Sequence, residues 1–350
     1  MDDTSLIKNC TQRVIDWYRD SRRPLPWREE PTPYHVWISE IMLQQTRIEA
    51  VIPYYARFLA ALPDIPSLAA VEDDRLMKLW EGLGYYSRAR NLKKAAVRIM
   101  TDFNGALPKT AAELKALPGI GDYTAGAIAS IAYGEPEPAV DGNVLRVMMR
   151  VLAREDDVMA AKTRTETAAL LRECYPRGED AALLTEGLME LGETLCVPNG
   201  PARCSACPLK GLCLAEASGE IDRYPVRTLP KSRRIEARTV LLLRCKGRYA
   251  LRRRPENGLL AGLWEFPNVE GFLTADETAA LVGKEGLNVQ KIAPCGTAKH
   301  IFTHVEWHMT GYLVDVEREG GGYLWKTPAQ IEAEYPLPTA LKAYKKKIAP

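Results

Sequence analysis

The spacing of apolar residues changes once along the 350-residue chain, and that change constrains its architecture more than any other feature. Up to about residue 215 they recur three and four apart, the signature of helices with one buried face. LIKNCTQRVIDWYRDS, YHVWISEIMLQQT, AAVEDDRLMKLWEGL and RARNLKKAAVRIMTDF read this way, as do TAAELKAL, TAGAIASIAY, NVLRVMMRVLARE and ALLTEGLMELGETLC. IDRYPVRTLPKSRRIEART is then polar and proline-containing, as a linker is. Beyond it, RTVLLLRCKGRYALRRR reads as a hairpin about a Lys-Gly turn. WHMTGYLVDVE and GYLWKT read as strands, and ADETAALVG and PTALKAYKKKI as helices. The expectation is a multidomain chain: an all-α domain over 1–216, a linker over 217–234 and a smaller α+β domain over 235–350.

No run approaches the roughly 18 apolar residues of a membrane span, and MDDTSLIKNC lacks the apolar stretch of a signal peptide. A cytoplasmic or nucleoid setting, no membrane partner and a monomer are the resulting expectations. Net charge is only +2, but it is unevenly spread. Residues 201–250 carry 11 Lys and Arg against 4 Asp and Glu, while 151–200 carry 5 against 10. A basic girdle of this kind suits either nucleic acid or a solvated linker. Of eight cysteines, Cys196, Cys204, Cys207 and Cys213 fall within 18 residues. In a reducing compartment such a group points to metal before disulfide.

Leu117-Pro118-Gly119-Ile120-Gly121 joins two helical stretches. Gly119 and Gly121 let the backbone turn without Cβ clashes and leave N–H groups free at the next helix's N-terminus, an arrangement suited to a phosphate. A plain interhelical corner is the alternative. LPGIGDYTAGAI resembles the helix-hairpin-helix motif of DNA repair proteins, and VDGNVLRVMMR, beginning 20 residues later, supplies Asp141. Together they resemble the helix-hairpin-helix-Gly/Pro-Asp superfamily of DNA glycosylases, in which that aspartate is the catalytic carboxylate. The spacing Cys-x7-Cys-x2-Cys-x5-Cys resembles the [4Fe–4S] loop of the endonuclease III and MutY branch, with zinc as the other reading. The usual first spacing there is x6, so VPNGPAR is one residue longer.

PLPWR, WISEIMLQQT and GLGYYSR resemble, in that order, the MutY-type family of adenine DNA glycosylases. Where bifunctional relatives carry a hairpin lysine that forms a Schiff base with the sugar, this chain has Tyr123, which cannot form an imine. The resemblance therefore implies base release without an efficient lyase step. It makes Glu40 the general acid toward adenine N7, Asp141 the charged group that either stabilises the oxocarbenium-like sugar or attacks it covalently, and Tyr123 their neighbour. It places Trp27, Arg28 and Glu186 in the adenine pocket. Gln45, Thr46, Leu83, Tyr85, Gly119 and Gly121 fall to DNA contact, with Gln45 and Tyr85 as wedges in the duplex. From spacing alone, Trp27 and Tyr85 are equally ordinary core aromatics.

RYALRRRPENGLLAGLWEFP resembles the opening of a Nudix (MutT-like) fold, but no R-E-x-x-E-E run follows Pro267, so the resemblance implies binding without hydrolysis. In the MutY family this domain recognises 8-oxoguanine through a Phe-Ser-His loop, which here becomes Phe302-Thr303-His304. His300, His304 and His308 read as one strand with phosphate or base contacts, or less readily as a zinc site. The implied partner is double-stranded DNA carrying A opposite 8-oxoguanine or G, and the implied cofactor is a [4Fe–4S] cluster. A bifunctional pyrimidine-lesion glycosylase and a catalytically silent iron–sulfur DNA-binding protein are the other classes to weigh.

Overall fold

The computed structural model describes residues 2–228 and 232–348. The chain forms two compact units, Met1–Ala70 with Arg90–Leu229, and Val71–Ala89 with Pro230–Pro350. The sequence places residues 71–89 in the helical domain; they pack instead with the C-terminal unit. Of the expected linker, residues 229–231 lie outside the described residues. Among the described residues, no helix is long and apolar enough to cross a membrane.

The first unit is helical because its apolar residues fall on single faces. Helix Asp3–Ser21 is capped by the Asp2 side chain and buries Leu6, Ile7, Cys10, Val14, Ile15 and Tyr18 against helix Glu179–Thr194. Thr32 caps helix Pro33–Leu43, whose first-turn proline is tolerated because that N–H needs no partner. Helices Asp122–Tyr133 and Gly142–Val151 follow the glycine turn and Asp141 respectively. Two of the longer helices are not legible in the sequence. Ile48–Ala61 contains Pro53, which reads as a break. Ala161–Arg172 builds its buried stripe largely from threonine, with Thr163, Thr167 and Leu171 at four-residue spacing.

The second unit is a mixed sheet. Its strands are β1 (Arg234–Cys245), β2 (Arg248–Arg253), β3 (Trp264–Glu265), β4 (Asn268–Glu270), β5 (Val289–Ile301), β6 (Val305–Val316) and β7 (Leu324–Lys326). The order is β3-β2-β1-β6-β5, with β4 on β1 and β7 on β2. β1 and β2 close about Lys246-Gly247, both at positive φ, as the sequence suggested. β1 runs parallel to β6, from Arg234 opposite Val305 to Arg244 opposite Asp315. Alternation then sends Val240 and Leu242 into one core with Trp307, Phe266 and Tyr344. Leu241 and Leu243 enter the opposite core with Val314, Val316 and Val282. Helices Ala275–Lys284, Pro328–Glu334 and Lys342–Ile348 complete this unit. Residues 71–89 are tied into it by Glu81, which accepts from the Leu337 N–H at 3.1 Å and from Lys345 at 3.0 Å, and by Asp74, which accepts from the Trp264 indole at 3.3 Å.

The histidine run departs from the expected single strand. β5 ends at Ile301, and β6 starts at Val305 and runs back antiparallel, so Phe302–His304 is a hairpin turn. His300, His304 and His308 therefore do not share one strand face. Among the described residues, no three His, Cys, Asp or Glu side chains there close on a metal site.

Candidate active site and cysteine loop

Five helical elements of the first unit converge on one cavity of about 170 Å³. The segment around helix Pro26–Glu29 brings Trp27 and Arg28, helix Pro33–Leu43 brings Glu40, and the helix after the glycine turn brings Tyr123. Asp141 stands at the start of helix Gly142–Val151, while Glu186, Met189 and Glu190 come from helix Glu179–Thr194. Thr46 also lines the cavity. The structure thus gathers Trp27, Arg28, Glu40, Thr46, Tyr123, Asp141 and Glu186 in one place.

Tyr123 donates its phenol hydrogen to Glu40 Oε2 at 2.6 Å. Burial pushes the Glu40 carboxyl from the ordinary 4.5 up to about 7, and the Glu186 and Asp141 charges add to the rise while the Tyr123 bond and Arg28 oppose it. Glu40 is therefore a carboxyl that can hold a proton near neutrality and give it up. Asp141 is the N-cap of its helix: one oxygen accepts from the Val144 N–H at 2.8 Å, the other from the Asn143 amide at 3.0 Å. Burial raises its proton affinity too, against those two donors and the Arg146 charge. The two carboxyls consequently differ in kind. Glu40 is protected from water with a phenol as its hydrogen-bond donor, whereas Asp141 has backbone and amide donors fixed on its charged form.

Several residues of this site were not anticipated. Tyr18, fully buried, donates to Glu186 Oε2 at 3.1 Å and lies under the Arg28 guanidinium, 5.4 Å from its ring centre. Arg28 donates to Glu190 at 2.9 Å and stands 3.6 Å from Glu186. Glu190 is also gripped by Arg23, and Arg22 approaches Glu186 at 3.4 Å. Burial raises the Glu186 carboxyl as well, with Arg28, Arg22 and Tyr18 holding it down. Arg28 Nε is buried without a hydrogen bond, and its nearest carboxylate oxygen is Glu186 Oε1 at 3.6 Å. Glu186 and Glu190 stand four positions apart on one helix, so that spacing could have revealed the second carboxylate; Tyr18 carried no signal beyond an ordinary core aromatic.

The remaining candidates fall elsewhere. Gly119 has φ +79°, and a Cβ there would meet Asn91 Cβ at 2.6 Å, so both turn and packing require glycine. At Gly121 a Cβ would meet nothing within 4 Å, so protein packing does not explain that glycine. Gln45 is exposed, with φ +57°. Tyr85 has φ +48° and is 47% exposed, whereas Leu83 is buried. Left-handed backbone at a large non-glycine residue is costly and collects at functional positions, which suits two protruding side chains. Within the second unit, Tyr85 Oη lies 3.2 Å from Thr303 Oγ1, so strand-separating and base-reading candidates share one surface. Phe302 packs on His300 and Trp307, with ring centres 4.6 and 5.1 Å away, leaving Thr303 and His304 exposed at the turn.

Cys196, Cys204, Cys207 and Cys213, all unpaired, line a single cavity at the end of helix Glu179–Thr194. Arg150 Nη1 donates to Cys196 Sγ at 3.2 Å, giving thiolate ligands a cationic neighbour. Among the described residues no three such side chains close on one point, as a single tetrahedral ion demands. Four sulfurs around a shared space are a donor set that an iron–sulfur cluster or a zinc ion can take.

Residues 38–177 match the HhH-GPD superfamily base excision DNA repair protein family, and residues 239–347 match the NUDIX domain family. The adenine DNA glycosylase of Arabidopsis thaliana is 34% identical over 90% of this chain, which spans only 59% of that relative. The adenine DNA glycosylase of Buchnera aphidicola subsp. Acyrthosiphon pisum is 30% identical over 97% of this chain and 98% of its own length. Among solved structures, an endonuclease III in a non-covalent DNA complex aligns with a TM-score of 0.53 at 25% identity, over 63% of this chain and 99% of that one. With the similarity running through both units and nearly the whole of the Buchnera protein, the chain belongs to the adenine DNA glycosylase family.

Proposed function

We propose that the chain removes adenine paired with 8-oxoguanine or guanine in duplex DNA, cleaving the N-glycosidic bond without a lyase step. The observation that carries this reading is Glu40, a buried carboxyl held up to about 7 and bonded to Tyr123, in one cavity with Asp141. A flipped adenine enters the cavity, where Glu186 accepts from its amino group and Arg28 Nε donates to a ring nitrogen. Glu40 protonates N7, and the bonding pair of the C1′–N9 bond leaves with the base. Asp141 stabilises the positive sugar. Water adds to C1′, and its proton restores Glu40. Tyr123, at the position of the hairpin lysine, has no amine for an imine, so the abasic strand stays intact. Gly121 and its helix N-terminus hold a backbone phosphate, Gln45 and Tyr85 part the bases, and Phe302, Thr303 and His304 read the opposite base.

The test is single-turnover base release from duplexes with A opposite 8-oxoguanine, G, C or T, with and without alkaline workup. Strand breaks appear only after alkali, fastest for the 8-oxoguanine and G pairs. Breaks without alkali would overturn the monofunctional reading, and no adenine release from any duplex would overturn the enzyme.

The four cysteines would hold a [4Fe–4S] cluster, which ties the loop that follows helix Glu179–Thr194 and takes no part in glycosidic cleavage. Purified protein is expected to carry about four irons per chain with visible thiolate-to-iron absorption, and Cys207→Ser to lose both. Stoichiometric zinc in place of iron would refute the assignment.

A further inference from the structure

Behind the candidate adenine pocket lies a second, open cavity of about 400 Å³. It is bounded by Arg22 and Pro31, by the end of helix Asp122–Tyr133, and by the start of helix Glu179–Thr194. Glu186 and Ile131 line both cavities, so a wall only one residue thick divides them. The floor is stitched where two left-handed glycines meet: the Gly178 N–H donates to Gly134 O at 2.8 Å, and a Cβ on Gly134 would meet Gly178 Cα at 2.8 Å. Arg22 stands at the edge of this wall on the groove side. It follows the last residue of helix Asp3–Ser21, its side chain is 37% exposed, and it approaches Glu186 Oε2 at 3.4 Å while donating to Arg28 O at 3.0 Å.

We propose that this groove is the exit for the free purine base, with the Arg22–Glu186 contact as its gate. The inference rests on the adenine-excision reading above. After cleavage the abasic strand still occupies the mouth through which the nucleotide was flipped, so the neutral base cannot leave that way until DNA dissociates. On the groove side, Arg22 offers donors to the ring nitrogens and Glu186 and Glu179 offer acceptors to the amino group, so adenine exchanges one polar environment for another as it passes. Swinging Arg22 toward solvent breaks two contacts and leaves Glu186 anchored by Tyr18.

Ala182 and Ala132 line the groove from opposite sides and are absent from the catalytic cavity. Ala182→Trp and Ala132→Trp are each expected to fill the groove without touching Glu40 or Asp141. The experiment uses the full chain and a duplex with radiolabelled adenine opposite 8-oxoguanine. Abasic-site formation is read by alkaline strand breakage, and adenine free of protein by rapid filtration. In the wild type the two appear together. In either variant abasic sites form at the wild-type rate, while free adenine lags by about tenfold or more. Simultaneous appearance in both variants would overturn the exit. No abasic product from the wild type would instead overturn the excision reading, and the exit with it.

Discussion

Glu40→Gln is expected to lower the single-turnover rate of adenine release by about 10²–10⁴-fold, the usual contribution of a general acid, while mismatch binding stays within a few-fold of wild type. Glutamine keeps the carbonyl that accepts from Tyr123 but has no proton to give. The pH profile ties the loss to proton donation. With the carboxyl up at about 7, the wild-type rate should fall tenfold per pH unit above that value, and the residual rate of the variant should lack this limb. Stability supplies an independent reading. A carboxyl whose folded pKa is raised favours folding most when protonated, so the wild type loses stability as pH rises from 4.5 through about 7. Glutamine carries no charge to bury. The melting temperature of the variant relative to wild type should therefore climb across that window and level off above it. A variant that keeps a near-wild-type rate, or loses rate equally at every pH, would remove Glu40 from the role of acid.

The sequence was most legible where one residue type serves both local structure and chemistry. Asp141 could be placed before a helix because an aspartate at that position caps it, and the same carboxylate is the catalytic candidate. Gly119 was readable as a turn because only glycine tolerates its φ. Helix Ala161–Arg172 was hidden because threonine, which reads as polar, forms its buried stripe through Thr163 Oγ1 and Thr167 Oγ1 bonds to backbone carbonyls. The histidine run was misplaced because β5 and β6 carry apolar and polar residues with the same alternation on either side of a turn that contains neither Gly nor Pro. Within the site, motifs single out the residues proposed to touch DNA or base, but not their supports. Tyr18 reaches Glu186, and Arg23 and Arg28 reach Glu190, across more than 160 residues, and no local pattern encodes such pairings. The placement of residues 71–89 with the C-terminal unit is of the same kind: it depends on Glu81 meeting Lys345 across more than 250 residues.

Asp141→Asn separates chemistry from architecture, because asparagine caps helices as well as aspartate does. The Val144 N–H keeps its acceptor, so helix Gly142–Val151 should start where it does in the wild type. The new amide nitrogen faces the Asn143 amide, whose own oxygen is engaged by Arg146 at 2.8 Å, so two donors meet where a donor met a carboxylate. Against that local cost stands a gain, since burial already raises the Asp141 carboxyl above its ordinary 3.8 and a neutral group escapes the penalty. By the sign of that shift, the wild type loses stability as pH rises past 3.8, and the variant does not. Its melting temperature should thus compare better with wild type at pH 8 than at pH 4. Catalysis should not be spared: removing the negative charge beside C1′ is expected to cost at least about 10²–10³-fold in the single-turnover rate. The two carboxyls act in sequence on one bond, so Glu40→Gln with Asp141→Asn should lose less than the product of the single losses. A rate within tenfold of wild type in Asp141→Asn, with the melting temperature preserved, would show that Asp141 serves the helix alone.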